Sequence, residues 1–100
     1  MKRYTIENLL RVDKCILEFA KESEEFIREF RINEISLETL KTIFVSEPND
    51  DELYLSYGIN ELQAETINKN LNTQIEFDFG KFEYYFQQYG EYKEIEKASL

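Results

Sequence analysis

The side chains in this chain that could do chemistry are carboxylates and tyrosines. Asp50, Asp51 and Glu52 stand in a row ahead of Tyr54 and Tyr57, and Glu83, Tyr84, Tyr85 and Tyr89 form a second acidic and aromatic stretch. Histidine is missing altogether, which removes the commonest general base and metal ligand and every triad built on it. Three consecutive carboxylates lack the spaced ligands and the required glycine of a calcium loop. Asp50 to Glu52 therefore read as a solvated acidic loop or as a contact for a basic partner. Three isolated glycines cannot make a phosphate-cradling loop. Cys15 is the single cysteine, so no intramolecular disulfide can form, and its apolar flanks mark it as a buried small hydrophobe. Any two of the acids could meet in a cleft as a hydrolytic pair, but nothing in the sequence singles a pair out. No catalytic, cofactor-binding or metal-binding residue is expected. The candidates for partner contact are Asp50, Asp51, Glu52, Tyr54, Tyr57, Glu83, Tyr84, Tyr85 and Tyr89, because a tyrosine ring supplies contact area at low entropic cost while its hydroxyl stays hydrogen-bonded.

Charge narrows the choice of partner. With 21 acidic and 12 basic residues, the 100-residue chain carries a net charge of −9. Such a field repels nucleic-acid backbones and anionic lipid, and it speeds encounter with basic proteins. The length fits one domain with a single core. The opening residues contain no apolar signal region, because Glu7 and Asn8 interrupt it. No run approaches the roughly 20 apolar residues of a bilayer span. A lone thiol fits a reducing compartment. The expectation is a cytoplasmic protein with no cofactor, no nucleic-acid partner and no membrane partner.

Several elements must position these side chains. Met1 to Asp13 fits either a helical turn behind Thr5 or a short strand, an add-on to the domain. Between Lys14 and Ile32 two patterns compete. Apolar residues at positions 16, 17, 19, 20, 26, 27 and 30 follow the stripe of one long helix. Cys15 to Phe19 and Phe26 to Ile32 equally form the arms of a hairpin around Ala20 to Glu25, although that turn lacks the Asn-Gly or Asp-Gly pair of a tight one. The residues alone leave the two open. Ser36 to Phe44 reads as a helix, with Ser36 as N-cap, Glu38 in the first turn, and Leu37, Leu40, Ile43 and Phe44 along one side. Ser46 to Glu52 is an exposed acidic loop, after which Leu53, Leu55 and Tyr57 alternate as a short strand or extended segment up to Gly58. Asn60 with Gln63 makes a capping box for a helix over Glu61 to Leu71, and Asn68, Asn70 and Asn72 suit a left-handed cap at its end.

Eight of the fifteen aromatic residues fall between Ile75 and Tyr92. Ile75, Phe77 and Phe79 alternate, and the period then switches. Asp78 as N-cap, with Phe82, Tyr85, Phe86 and Tyr89 on one side, predicts a helix that Gly90 stops. Phe82 and Phe86 belong to the core, while adjacent Tyr84 and Tyr85 cannot both be fully buried on a helix. Glu91 to Leu100 is expected to be a frayed tail. The pattern describes a single small α+β domain, an antiparallel hairpin or sheet of three to four short strands packed by two to three helices.

From Ile16 to Tyr92 the chain resembles a family of small acidic bacterial domains, without an assigned activity, that occur near polymorphic-toxin genes. The residues that carry the resemblance are Phe19 to Glu25, Ile35 to Phe44, Asp51 to Tyr57 and Glu76 to Phe86. The chain departs from the family pattern in its N-terminal dozen residues and at Ala20, where the family more often places an aspartate. The resemblance implies an α+β fold, a hairpin rather than a long helix over residues 14–32, and an immunity protein that blocks a secreted or contact-delivered toxin. Many such toxins are nucleases with basic clefts, which an acidic plug would fill with carboxylates in place of phosphates. The expected function is thus non-catalytic neutralisation of a cognate basic toxin, a nuclease, by an acidic, tyrosine-bearing surface. The alternative is a binding or scaffold module with a non-toxin partner.

Overall fold

The computed structural model describes residues 9–92. Among them, strands β1 (Leu9–Ala20), β2 (Phe26–Arg31), β3 (Tyr57–Gly58) and β4 (Phe82–Tyr92) form one antiparallel sheet in the order β2-β1-β4-β3. Helices α1 (Leu37–Ile43) and α2 (Glu61–Lys69) lie in the connections between β2, β3 and β4. The α+β class holds.

Residues 14–32 form the hairpin. Its register runs from Cys15↔Arg31 to Phe19↔Phe26, with a bulge at Glu18/Phe19 that leaves Ile27 as the extra residue. The turn needs no Asn-Gly pair, because it closes on a wider loop. Ala20 N–H donates to Glu25 O at 2.9 Å, and Glu24 N–H donates to Ala20 O at 2.8 Å, with Glu24 in the left-handed region at φ 61. Residues 9–13 are not an add-on but the first part of β1, paired with the end of β4 through Leu9↔Tyr92 and Arg11↔Glu91. The expected tail likewise begins as strand at Glu91 and Tyr92, and residues 1–8 and 93–100 lie outside the described residues.

The largest correction is β4. Phe82 to Tyr92 is a central strand, not a helix. The stretch carries apolar rings at both parities, so a helical stripe and a two-sided strand share the same letters. Aromatic residues favour the pleated surface, and β1 supplies a continuous ladder from Ala20↔Phe82 to Asp13↔Tyr89. Asp78 caps no helix. Its Oδ1 accepts from Gly80 N–H at 3.1 Å and its carbonyl from Phe82 N–H at 2.9 Å, so it makes the turn that launches the strand.

Both helices start where the local signals put them. Ser36 Oγ accepts from Thr39 N–H, and Asn60 and Gln63 form the reciprocal capping box. The end of α2 differs from expectation: Asn70 sits at φ −104, outside the left-handed region. The asparagines act through their amides instead. Asn68 donates to Ile75 O and accepts from Ile75 N–H, both at 2.9 Å, while Asn70 donates to Thr66 O. The expected strand over Leu53 to Gly58 shrinks to Tyr57–Gly58; Leu53 is buried, but Leu55 is half exposed, so the alternation fails there.

One face of the sheet carries the core. Ile16, Tyr84 and Phe86 pack with Leu40 and Phe44 around α1 and with Ala64 and Ile67 of α2, and the Phe86 ring stacks on Phe44 at 5.2 Å. Alternation sends Cys15, Leu17 and Phe19 of β1 to the opposite face, where Cys15 and Leu17 are buried but stand outside that core cluster. Burial first, and then Glu29, whose carboxylate accepts from the thiol, push Cys15 up to about 11. A group whose folded pKa lies above its unfolded one stabilises in full below pH 9, and that contribution fades as pH rises toward 11. At neutral pH the native thiol should react with a disulfide reagent at least about 100-fold more slowly than in urea, because the thiolate is the nucleophile. Equal rates in the two states would mean that Cys15 is open to solvent.

Candidate functional site

Two groups of candidate residues emerge, each held by a buried polar anchor. The first is the acidic loop. Asp50 is 7% exposed, and its carboxylate accepts from Tyr54 N–H at 2.7 Å, from Leu55 N–H at 3.0 Å and from the Tyr57 hydroxyl. The Tyr57 oxygen in turn accepts from Glu47 N–H at 3.0 Å. Gln88 of β4 reaches across and donates to the carbonyls of Glu52 and Leu53. Leu53, fully buried, is held at φ 58, a conformation that disfavours a Cβ-bearing residue. The outcome is a fixed turn with Asp51 and Glu52 exposed, and with Tyr54 and Leu55 49% and 52% exposed.

Burial alone would push the Asp50 carboxyl up, but the bonds from Tyr57, Leu55 and Tyr54 outweigh it and hold the group below its ordinary 3.8. A lowered folded pKa contributes stability above the unfolded value, and that contribution is lost as pH falls through the folded one. Asp50→Asn keeps the shape but turns an amide donor toward backbone donors. It should cost about 1–3 kcal/mol at neutral pH and flatten the loss of stability below pH 3.8, as read by urea unfolding across a pH series. An unchanged acid arm would show that the clamp contributes nothing.

The second anchor lies inside the sheet. Glu18, 1% exposed, accepts from Arg28 Nε at 2.8 Å and from the Tyr84 hydroxyl at 2.6 Å. The Tyr84 oxygen accepts from Asp78 N–H at 3.0 Å. Arg28 also stands 5.4 Å over the Phe30 ring. These bonds tie β2, β1, β4 and the turn before β4 together on the helix side.

On the sheet's other face, register brings aromatic and acidic side chains together. Phe19 lies opposite Glu83 on β4 and opposite Phe26 on β2, and its ring meets Phe26 and Tyr85 edge-on at 5.7 and 5.8 Å. Phe26 and Tyr89 are 52% and 44% exposed, Tyr85 is half-buried, and Glu83 is exposed. A pocket of about 220 Å³ opens here between Phe19 and Tyr85, with Glu24 and Glu83 on its rim. Two larger grooves of about 480 and 450 Å³ meet at Phe79 near α2, the first also lined by Lys21, Glu83 and Tyr85 and the second by Glu61, Glu65 and Asp78. Among the described residues no cluster of three metal-ligating side chains occurs, and no helix is long and apolar enough to cross a membrane.

The nine expected contact residues therefore divide. Glu83, Tyr85 and Tyr89 share the face away from the helices, and Asp51, Glu52 and Tyr54 are displayed on the clamped loop. Asp50, Tyr57 and Tyr84 are buried, at 7%, 8% and 2% exposure. These three are corrections, since they anchor the surfaces from inside. The placement of Tyr84 is a consequence of the strand, which sends adjacent residues to opposite faces. Phe19, Glu24, Phe26 and Leu55 were missed. The signal for Phe19 was the run Cys15-Ile16-Leu17-Glu18-Phe19, whose apolar residues at both parities mark a strand that is apolar on two faces, whereas Phe26 reaches this face only through the bulge at Glu18/Phe19.

No curated protein and no solved structure matches the chain. One family profile does, over residues 14–87, from the body of β1 to within β4. That span covers the hairpin, both helices, the acidic loop and the aromatic face except Tyr89, and the chain belongs to this family, which is described as a domain of unknown function, DUF7683.

Proposed function

We propose that this domain is an immunity protein, a non-catalytic inhibitor that binds a cognate bacterial toxin and covers its basic active cleft, that of a nuclease. The observation that carries the reading is the sheet face away from the helices, where exposed and half-exposed rings of Phe19, Phe26, Tyr85 and Tyr89 stand beside Glu83 and Glu29. A face with aromatic anchors and an acidic rim, on a chain of net charge −9, suits a basic protein surface. The rings supply the desolvated contacts that set the dissociation rate, and the carboxylates steer encounter. The resemblance to domains found beside toxin genes favours a toxin among basic partners.

Co-expression with the product of the adjacent upstream gene tests this directly. The two proteins should co-purify, and growth inhibition by that product should be relieved. Failure on both counts removes the toxin and leaves a binding module with another partner. Within a complex, Phe26→Ala and Tyr89→Ala should each weaken binding by roughly 1–3 kcal/mol with the fold intact by circular dichroism. The association rate should fall as salt rises, because exposed charges are screened. Full affinity in both variants would move the contact to another face.

A further inference from the structure

Resting on that reading, we propose that the pocket between Phe19 and Tyr85 is the seat of a single arginine side chain from the partner. Its walls are two rings meeting edge-on at 5.8 Å, and its rim is the carboxylates of Glu24 and Glu83. Neither carboxylate makes an ion pair within 4.0 Å among the described residues, so the pocket presents two carboxylates beside aromatic surface. The backbone that carries each is held in place. Glu24 sits in the left-handed corner of the hairpin turn, its N–H bonded to Ala20 O, and Glu83 is paired on β4 directly opposite Phe19. A cation entering here gains attraction from the rings and from the carboxylates together.

The occupant is arginine rather than lysine because a guanidinium is planar and weakly hydrated. It can lie along a ring while its N–H groups reach carboxylates on either side, whereas an ammonium must give up a tighter water shell. The chain already holds one arginine in this way. Arg28 lies 5.4 Å over the Phe30 ring with its Nε on the Glu18 carboxylate. The pocket repeats that ring-and-carboxylate pairing without a guanidinium of its own, and a volume of about 220 Å³ is on the scale of one long side chain.

The probe is N-acetylargininamide, titrated into the intact chain while the Phe and Tyr ring resonances are followed by NMR. Saturable shifts centred on Phe19 and Tyr85 are expected, with N-acetyllysinamide weaker and the neutral N-acetylcitrullinamide without effect. Replacing both Glu24→Gln and Glu83→Gln should weaken the arginine probe by roughly five- to tenfold. Equal shifts from the citrulline compound, or shifts that map instead to the groove rimmed by Glu61, Glu65 and Asp78, would overturn the assignment. In the complex with the upstream gene's product, the same double substitution should raise the dissociation constant. If that complex forms with unchanged affinity in the variant, the pocket assignment fails and the immunity reading stands. If the probe binds as expected and no such complex forms, the pocket stands and the toxin is withdrawn.

Discussion

Phe86→Ala is expected to lower the unfolding free energy by about 3–5 kcal/mol, the cost of truncating a fully buried aromatic. Phe86 is 0% exposed at the middle of β4, pairs with Ile16 on one side and Tyr57 on the other, and stacks on Phe44 below α1. Both its strand neighbours and its helix partner lose contact at once, and a gap among side chains already fixed by the ladder cannot close. A domain of this size holds only roughly 5–15 kcal/mol in total, so the variant should be unfolded or close to it at moderate urea. The check is the urea midpoint at unchanged slope, with Gln87→Ala as the control on the opposite face. A drop below about 1 kcal/mol would mean that the stack on Phe44 is not a hub of the core.

The second large effect separates two adjacent tyrosines. Tyr84→Phe should cost about 1–3 kcal/mol, whereas Tyr85→Phe should stay within roughly 0.5 kcal/mol. Removing the Tyr84 hydroxyl strips one of the two partners from the buried Glu18 carboxylate and the acceptor from Asp78 N–H. Arg28 keeps its side of the pair, which is why the loss stays below that of an isolated buried charge. Burial first, and then the bond to Glu18, push Tyr84 up to about 12 from an ordinary 10.0. Since the folded value is the higher one, the contribution is complete below pH 10 and disappears as pH climbs toward 12. Tyr84→Phe should therefore lose stability at neutral pH and also lose most of this alkaline decline. Denaturation at a series of pH values reads both. Equal behaviour of the two tyrosine variants would sink the network.

The elements that could be read ahead of the structure are those whose causes are local. Ser36 and Asn60 cap helices through partners three residues away, and those signals survive any tertiary arrangement. Asp78 shows where local reading misleads. Cap-like residues also make turns, and the residues downstream decide between the two. Here they are Phe82 to Tyr92, whose rings fit both periods, and the ladder that settles the choice comes from residues 9–20. The contact residues divide along the same line. Glu83, Tyr85 and Tyr89 were visible as types, while Phe19, Glu24 and Phe26 enter only when the sheet register sets Phe19 between Phe26 and Tyr85, with Glu24 at the same pocket. Asp50, Tyr57 and Tyr84 looked like surface chemistry because an acid or a hydroxyl is usually exposed. Each is buried here with its hydrogen bonds satisfied, which is the one condition under which such burial is affordable.

By itself, the sequence determined the acidic charge, the single thiol, the two capped helices and the abundance of rings that had to be buried or displayed. These come from composition and from contacts within four residues. Only the tertiary structure decided that the aromatic stretch is a strand and which tyrosine faces which side, because a pleat sends neighbours apart and a helix does not. It also decided that Glu18 meets Tyr84 across 66 residues, a pairing that no local pattern encodes.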